Sequence, residues 1–202
     1  MTNFRRKALR RIGLILMPLV LFGSGYALPQ ASAAEPASPS TLPSEDGQIQ
    51  QMSMEFRHPV ADGALMRMIC LMDAPVKNVF PAEEITAKGL DPESFVTCLG
   101  EFVGKQWTNG RYQDIAERYV PWTPELEASF HTLIADRNLA AANDFGARAE
   151  TAVDPAYNIV IAYKSGRSLH VTAADKTASG NDAVIEEAVL TWADDAFGTV
   201  KK

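Results

Sequence analysis

Apolar and polar positions in the middle of the chain repeat at helical spacing more often than at strand spacing. The segment from Asp62 to Met72 is followed by Pro75, and its apolar side chains are Leu65, Met68, Ile69 and Met72. Residues three and four apart share one face of a helix, so this spacing predicts a helix that begins at Asp62 and ends before Pro75.

A second and longer helix is predicted over residues 90–110. Asp91 is a favourable N-cap, Pro92 suits the first turn, and Asn109-Gly110 ends the segment. Its predicted apolar face consists of Phe95, Val96, Leu99, Phe102 and Val103.

Three further helices are predicted around these two. A short helix follows Pro81 and stops at Gly89, and another covers residues 111–120 before Pro121. A third begins at the cap-then-proline pair Thr123-Pro124, with Leu126, Phe130, Leu133 and Ile134 as its buried stripe.

The pattern changes at Tyr157, where β-branched and aromatic residues alternate on both sides of Ser165-Gly166. This predicts a hairpin with a two-residue turn, in which Ile161 lies opposite His170. A final helix follows, capped at Ser179 or Asn181, with its inward residues at Ile185, Ala188, Val189 and Trp192.

These elements predict an α+β fold with a mainly helical body, a C-terminal β-hairpin and a final helix. Residues 35–54 are rich in Pro, Ser and acidic residues and have no apolar period, which predicts a disordered leader. Residues 55–202 are long enough for a single α+β domain with its own core.

The first 34 residues have the order of a secretory signal peptide. Basic residues precede an apolar run over 12–21, and small residues follow up to Ala33 and Ala34. The run is shorter than the about 20 apolar residues of a membrane span. We therefore expect cleavage near Ala33 or Ala34, a periplasmic or secreted mature protein, and no membrane insertion after cleavage. Both the general secretory and the twin-arginine routes stay open.

Removal of this segment makes the protein more acidic. The full chain has 19 basic and 25 acidic residues, and the signal segment takes five basic residues with it, which leaves a net charge of about −11. Such a chain repels phosphate backbones and anionic lipid, so nucleic-acid binding is not expected and a basic partner is favoured.

The two cysteines, Cys70 and Cys98, are interpreted as a disulfide. Disulfides persist outside the cytosol, and two cysteines allow one intramolecular pairing. The bond would join the first predicted helix to the second across the Pro81–Gly89 connection. Two unpaired, buried cysteines are the alternative.

A Cu(I) site is a second interpretation of the same region. Its candidate ligands are the soft sulfur atoms of three methionines and a cysteine, with one nearby histidine, namely Met66, Met68, Cys70, Met72 and His58. Met66 and Met68 would point to different sides of the predicted helix, which argues against it. Met52 and Met54 fall in the predicted leader.

Catalytic motifs are not evident, and no cofactor is expected. His131 lies within a predicted helix and His170 on a predicted strand, without a G-x-S-x-G elbow or an H-E-x-x-H pair in the chain. Paired acidic residues such as Glu186-Glu187 diverge around a helix and do not face each other. The sequence thus favours an exported, non-enzymatic protein that binds a protein partner in the cell envelope. A periplasmic Cu(I)-binding protein and a hydrolase with an unrecognised site are the alternatives. The oligomeric state is not indicated.

Overall fold

The computed structural model describes residues 47–144 and 154–198, which form one sheet with helices around it. Six strands, all paired antiparallel, lie in the order β4-β3-β2-β1-β5-β6. The strands are β1 (Ile49–Val60), β2 (Gly63–Pro75), β3 (Phe95–Trp107), β4 (Tyr112–Pro121), β5 (Tyr157–Tyr163) and β6 (Ser168–Thr172). The helices of this part of the chain are α1 (Val76–Val79), α2 (Ala82–Lys88), α3 (Pro124–Asp136) and α4 (Asn181–Gly198).

The prediction of a mainly helical body is wrong, because the segments 62–72, 90–110 and 111–120 contribute strands β2, β3 and β4. Strand β2 lies inside the sheet and carries apolar side chains on both faces, so its sequence does not alternate between apolar and polar residues. A continuous apolar run of this kind matches a helical spacing by chance.

Two turns join these strands, and each includes or borders a dipeptide that favours hairpins. Val60 pairs with Gly63 across the loop formed by Ala61 and Asp62, and Asn109-Gly110 lies in the turn between β3 and β4. Asp-Gly and Asn-Gly flanked by apolar runs are strong hairpin signals. The helical interpretation took the same dipeptides for helix boundaries.

Strand β1 begins at Ile49, so the ordered domain starts before the predicted boundary at residue 55. Met52 and Met54, which were predicted to lie in the leader, are 1% and 0% exposed in the core. The predicted signal peptide (1–34) and residues 35–46 of the predicted leader lie outside the described residues.

The later elements follow the predictions more closely. Helix α2 ends at Gly89, which has a φ of +61°, and Thr123 accepts a hydrogen bond from the Leu126 amide at the start of α3. Helix α4 buries the four residues that were predicted to point inward, Ile185, Ala188, Val189 and Trp192.

The hairpin of β5 and β6 is confirmed, but its register differs by one residue from the predicted one. Three residues, 164–166, separate Tyr163 from Arg167, where a two-residue turn was predicted. Ile161 therefore lies opposite Leu169, and His170 lies opposite Val160. A one-residue shift moves each side chain to the other face, and here it places Ile161 and Leu169 together in the core.

Helices α3 and α4 cover one face of the sheet. The Phe130 and Trp192 rings lie 4.6 Å apart, and Trp192 Nε1 donates a hydrogen bond of 2.9 Å to Ser129 Oγ. Beneath them lies a core to which every strand contributes, including Met54, Phe56, Ile69, Leu99, Val120, Ile159 and Val171.

The opposite face of strands β1 to β4 is the one we call the open face. The register places on it the sulfur residues and the carboxylates described below, together with Gly100, Phe102, Gly104, Tyr112 and Tyr119. Among the described residues, the helix that packs against it is the short α1, whose Val79 covers Cys98 at one end.

Candidate binding surface on the open sheet face

The open face carries a row of sulfur atoms along β2. Successive side chains of a strand point to opposite faces, so Met66, Met68, Cys70 and Met72 all lie on the same side of the sheet. Each of the four is half-buried. Met66 and Met68 therefore point to the same side, and the expectation from a helix that they would point to different sides is wrong.

The sulfur atoms come closest together around Gly100 of β3. Gly100 pairs with Cys70, and Cys98 pairs with Met72. A Cβ atom at Gly100 would lie 2.8 Å from Met72 Sδ, so the Met72 side chain lies directly over this glycine. Cys70 Sγ is 4.0 Å from Met72 Sδ. Cys70, Met72 and Cys98 thus lie close together. The absence of a side chain at Gly100 leaves the room that the Met72 side chain occupies.

Both cysteines carry free thiols in the structure. The disulfide was expected to join two helices. That expectation is wrong about the elements, because Cys70 and Cys98 lie on adjacent strands. They are diagonal neighbours, which are typically about 7 Å apart, whereas the Cβ atoms of a disulfide are about 3.8 Å apart. A bond between them would require the strands to shift. The disulfide stays a prediction, to be tested by counting thiols in the purified protein.

Burial keeps both thiols protonated at neutral pH. It raises the pKa of the Cys70 thiol to about 11. It raises the pKa of the Cys98 thiol to about 12, with smaller contributions from Cys70 and Asp73. The Cys98 residue itself is 0% exposed. Neither cysteine therefore resembles a nucleophile activated by a lowered pKa.

Aromatic rings continue the apolar surface beyond the sulfur row. The Phe102 and Tyr119 rings meet edge to face with their centroids 5.9 Å apart. The Tyr112 ring lies across Gly104, where a Cβ atom would be 2.0 Å from the phenol oxygen. Tyr112 is nevertheless 54% exposed. The apolar surface therefore reaches the outer strand β4.

Carboxylates lie around this apolar surface. The register places Glu55, Asp114 and Glu117 on the open face, and all three are exposed. Burial raises the pKa of Tyr112, and the charges of Asp114 and Glu55 raise it further. Burial also raises the pKa of Tyr119 to about 12, together with Glu117. These carboxylates thus act directly on the aromatic side chains of the open face.

Arg57 provides a positive charge on the same face, but it forms an ion pair with one side chain and a hydrogen bond with another. Its Nη1 is 3.0 Å from Asp154 Oδ1, and its Nη2 donates a hydrogen bond of 3.3 Å to Gln106. The open face therefore has an apolar, sulfur-rich centre and a margin on which negative charge prevails among the described residues.

His58 does not belong to this surface. It lies on the helix-covered side of β1, and its Nδ1 is 3.8 Å from Glu186 Oε1 of helix α4. Of the candidate copper ligands, the structure brings together the four β2 residues and leaves His58 on the other side of the sheet. Cys98, which was not among the predicted copper ligands, joins the group.

Among residues 47–144 and 154–198, the side-chain contacts of the two other histidines are with an aromatic ring, a carboxylate and an amide. His131 stacks on Tyr163 with ring centroids 6.1 Å apart, and its Nε2 is 3.9 Å from Glu127 Oε1. His170 Nε2 is 2.7 Å from Asn158 Oδ1. These contacts are not the nucleophile and base pair of a hydrolase, and the hydrolase alternative stays a prediction.

Sequence reasoning missed a charged cluster on the helix-covered face. Glu101 is 2% exposed, and its two carboxylate oxygens contact Arg67 and Arg118. Arg67 also lies 2.6 Å from Asp194 of helix α4, and the Arg118 guanidinium lies over the Phe197 ring at 4.7 Å. The residues are far apart in sequence, and no local pattern marks them. Their geometry, with each charge matched, indicates a link between α4 and the sheet.

The comparisons with known proteins give no relative for this chain. Within residues 47–144 and 154–198, no helix is both long and apolar enough to cross a membrane. No protein-family model, no curated protein and no solved structure matches the chain.

Proposed function

We propose that this protein is an exported, non-enzymatic accessory protein that binds a polypeptide partner in the cell envelope through its open face. The observation that carries the proposal is the half-exposed apolar surface of methionine and aromatic side chains on a sheet whose other face the two long helices cover. Contiguous apolar surface on a soluble domain marks an interaction site.

The side chains of the open face suit a polypeptide partner. Methionine side chains are flexible and polarisable, so they adapt to apolar groups of different shape. Tyr112 and Tyr119 add large apolar area with a polar tip, which is typical of protein interfaces. The half-buried state of Met66 and Met68 leaves area that a partner would remove from water.

The charge around the open face favours a basic partner. Glu55, Asp114 and Glu117 stand at its margin, and the predicted mature chain has a net charge of about −11. Complementary charge raises the association rate and gives specificity. The partner proposed here is an extended segment with apolar side chains flanked by Lys or Arg.

Strand β4 offers a second attachment point for such a segment. It is an outer strand of the sheet, and its residues 112–118 are all exposed. An unpaired strand edge accepts main-chain hydrogen bonds from an added strand. The register irregularity opposite Val103 and Gly104, next to Ile115, interrupts this edge and limits uncontrolled pairing.

The proposal is tested with a synthetic peptide of alternating Leu and Lys, and with a matched peptide of alternating Leu and Glu. The protein is expected to bind the basic peptide at least roughly tenfold more tightly than the acidic one, as complementary charge requires. Charge reversal on the open face is expected to remove this preference, in the variant that combines Glu55→Lys, Asp114→Lys and Glu117→Lys.

The matched control reverses three exposed acidic residues elsewhere, Glu83→Lys, Asp136→Lys and Asp195→Lys, and so changes the net charge equally. It should keep the binding of the wild-type protein within roughly twofold. Both variants are then used as bait in an envelope extract, where the control should recover the same partner as the wild type and the open-face variant should not. Equal loss in both variants, or equal affinity for both peptides, would contradict the proposed surface.

A further inference from the structure

We propose that Cys70, Met72 and Cys98 form a binding site for one Cu(I) ion at the α1 end of the open face. The proposal stands on the sulfur geometry and does not depend on the proposed binding of a protein partner.

The spacing of the sulfur atoms suits a shared metal ion. Cys70 Sγ and Met72 Sδ are 4.0 Å apart. Metal–sulfur bonds of a d¹⁰ ion are about 2.3 Å long, so two sulfurs bound to one ion at trigonal angles lie about 4 Å from each other. The two atoms therefore already stand at the separation that a common ion requires.

The third sulfur comes from the strand opposite. Cys98 pairs directly with Met72, and Cys70 pairs with Gly100, two residues further along β3. Gly100 has no side chain, and a Cβ atom there would lie 2.8 Å from Met72 Sδ and 3.3 Å from a ring carbon of Phe102. An ion bound by the three residues would meet sulfur from two strands, since Cys70 and Met72 lie on β2 and Cys98 lies on β3.

The surroundings favour a soft ion over a hard one. Val79 of α1 and the half-buried Phe80 and Tyr119 pack around Cys98, which excludes water from one side of the group. Thiolate and thioether donors select Cu(I) among the biological metals. Each cysteine that binds the ion does so as a thiolate and releases its proton to solvent.

This ligand set differs from the one that the sequence suggested. His58 lies on the other face of the sheet, and Cys98 takes its place. Met66 lies at the other end of the row, opposite Gly104 and the Tyr112 ring, and is outside the proposed site. Met66 thus provides a matched control for Met72 on the same strand and face.

The test is a titration of the full, reduced protein with Cu(I) under anaerobic conditions, in competition with a chromogenic Cu(I) chelator. The wild-type protein is expected to withdraw one Cu(I) per chain from the chelator. Cys70→Ser and Cys98→Ser should each weaken Cu(I) binding at least roughly tenfold. Replacing a residue that only orients a metal ligand already lowers metal affinity by about tenfold or more, and replacing the ligand itself should cost at least as much. Met72→Leu should weaken binding measurably, and Met66→Leu should leave it unchanged.

Gly100→Ala serves as a further variant that removes no sulfur. Its Cβ atom would displace Met72 Sδ, so weaker Cu(I) binding is expected. Circular dichroism checks each variant, and Met72→Leu, which conserves side-chain volume, keeps the test open if a serine variant does not fold. The proposal is overturned if the wild-type protein takes no Cu(I) from the chelator, or if Met66→Leu weakens binding as much as Met72→Leu.

Discussion

At the scale of single residues, the carboxylate of Glu101 is unusual because it is charged and buried. It is the one charged residue that is buried in the described part of the chain, and Arg67 and Arg118 both contact it. A buried charge is tolerated when it is paired, and removal of one partner leaves the others without compensation. The cluster therefore makes helix α4 depend on the sheet through Asp194.

Replacement of Glu101 by glutamine is expected to lower the free energy of unfolding by about 3 kcal/mol, because it leaves the half-buried Arg67 and its partner Arg118 beside a neutral group. Urea unfolding followed by tryptophan fluorescence measures the change. Glu117→Gln, an exposed carboxylate on the strand next to it, is the control and should change the unfolding free energy by less than about 0.5 kcal/mol. Equal effects of the two substitutions would argue against the charged cluster.

Glu186 gives a pH-dependent prediction. Burial raises its pKa, the charge of His58 opposes this shift, and Glu186 Oε1 has no hydrogen-bond partner among the described residues. The folded protein therefore holds the carboxyl proton more tightly than the unfolded chain, so this group stabilises the fold at low pH and loses that contribution as the pH rises through its raised pKa.

Glu186→Gln stays neutral at every pH and is expected to raise the unfolding free energy at about pH 7 more than at about pH 4, where the wild-type carboxyl is largely protonated. Urea unfolding at both values measures the difference. Glu187→Gln, which removes the exposed neighbouring carboxylate, is measured in the same way as the control. If Glu186→Gln raised the unfolding free energy equally at both pH values, burial of the Glu186 carboxylate would not be what raises its pKa.

At the scale of elements, the sequence predicted α2, α3, α4 and the β5–β6 hairpin, because each has a local signal. A cap, a proline in the first turn or a glycine at the end marks each of the helices, and alternation marks the hairpin. Strands β2 and β3 were missed because they lie inside the sheet and bury parts of both faces. The neglected signals were Gly100 and Gly104, which disfavour a helix interior, and the hairpin dipeptide Asp62-Gly63.

Substitution of Gly63, the first residue of β2, tests how closely β2 and β3 approach each other. A Cβ atom there would lie 1.9 Å from the Gln106 carbonyl oxygen, and the residue has a φ of +156°. Gly63→Ala is thus expected to lower the unfolding free energy by about 2 kcal/mol, since the backbone of β3 must move. Gly198→Ala, where nothing lies within 4 Å of the added carbon, is the control. A neutral Gly63→Ala variant in thermal unfolding would show that β2 and β3 do not approach each other this closely.

At the scale of the whole molecule, the sequence indicated the residues of the candidate site but not their arrangement. Met66, Met68, Cys70 and Met72 were recognised as soft ligands, yet a helical period scattered them over several directions, whereas the strand period puts them on one face. Cys98 and the carboxylates Asp114 and Glu117 come from other strands, and the pairing of strands is not encoded in local spacing. The composition of the open face thus depends on how the strands pair with each other.

The central claim, that one sheet face is covered by helices and the other is open, is tested most directly by methionine oxidation. The folded protein is exposed to limited hydrogen peroxide and digested with trypsin. Cleavage after Arg57 and Arg67 separates the buried Met52 and Met54 from the methionines of the open face. Mass spectrometry then measures the sulfoxide fraction of each peptide over time.

Met66 and Met68 are expected to oxidise at least roughly tenfold faster than Met52 and Met54, which are 1% and 0% exposed beneath the helices. In urea-unfolded protein, all four should oxidise at similar rates, which supplies the control for intrinsic reactivity. Comparable oxidation of both pairs in the folded protein, or protection of Met66 and Met68, would contradict the account.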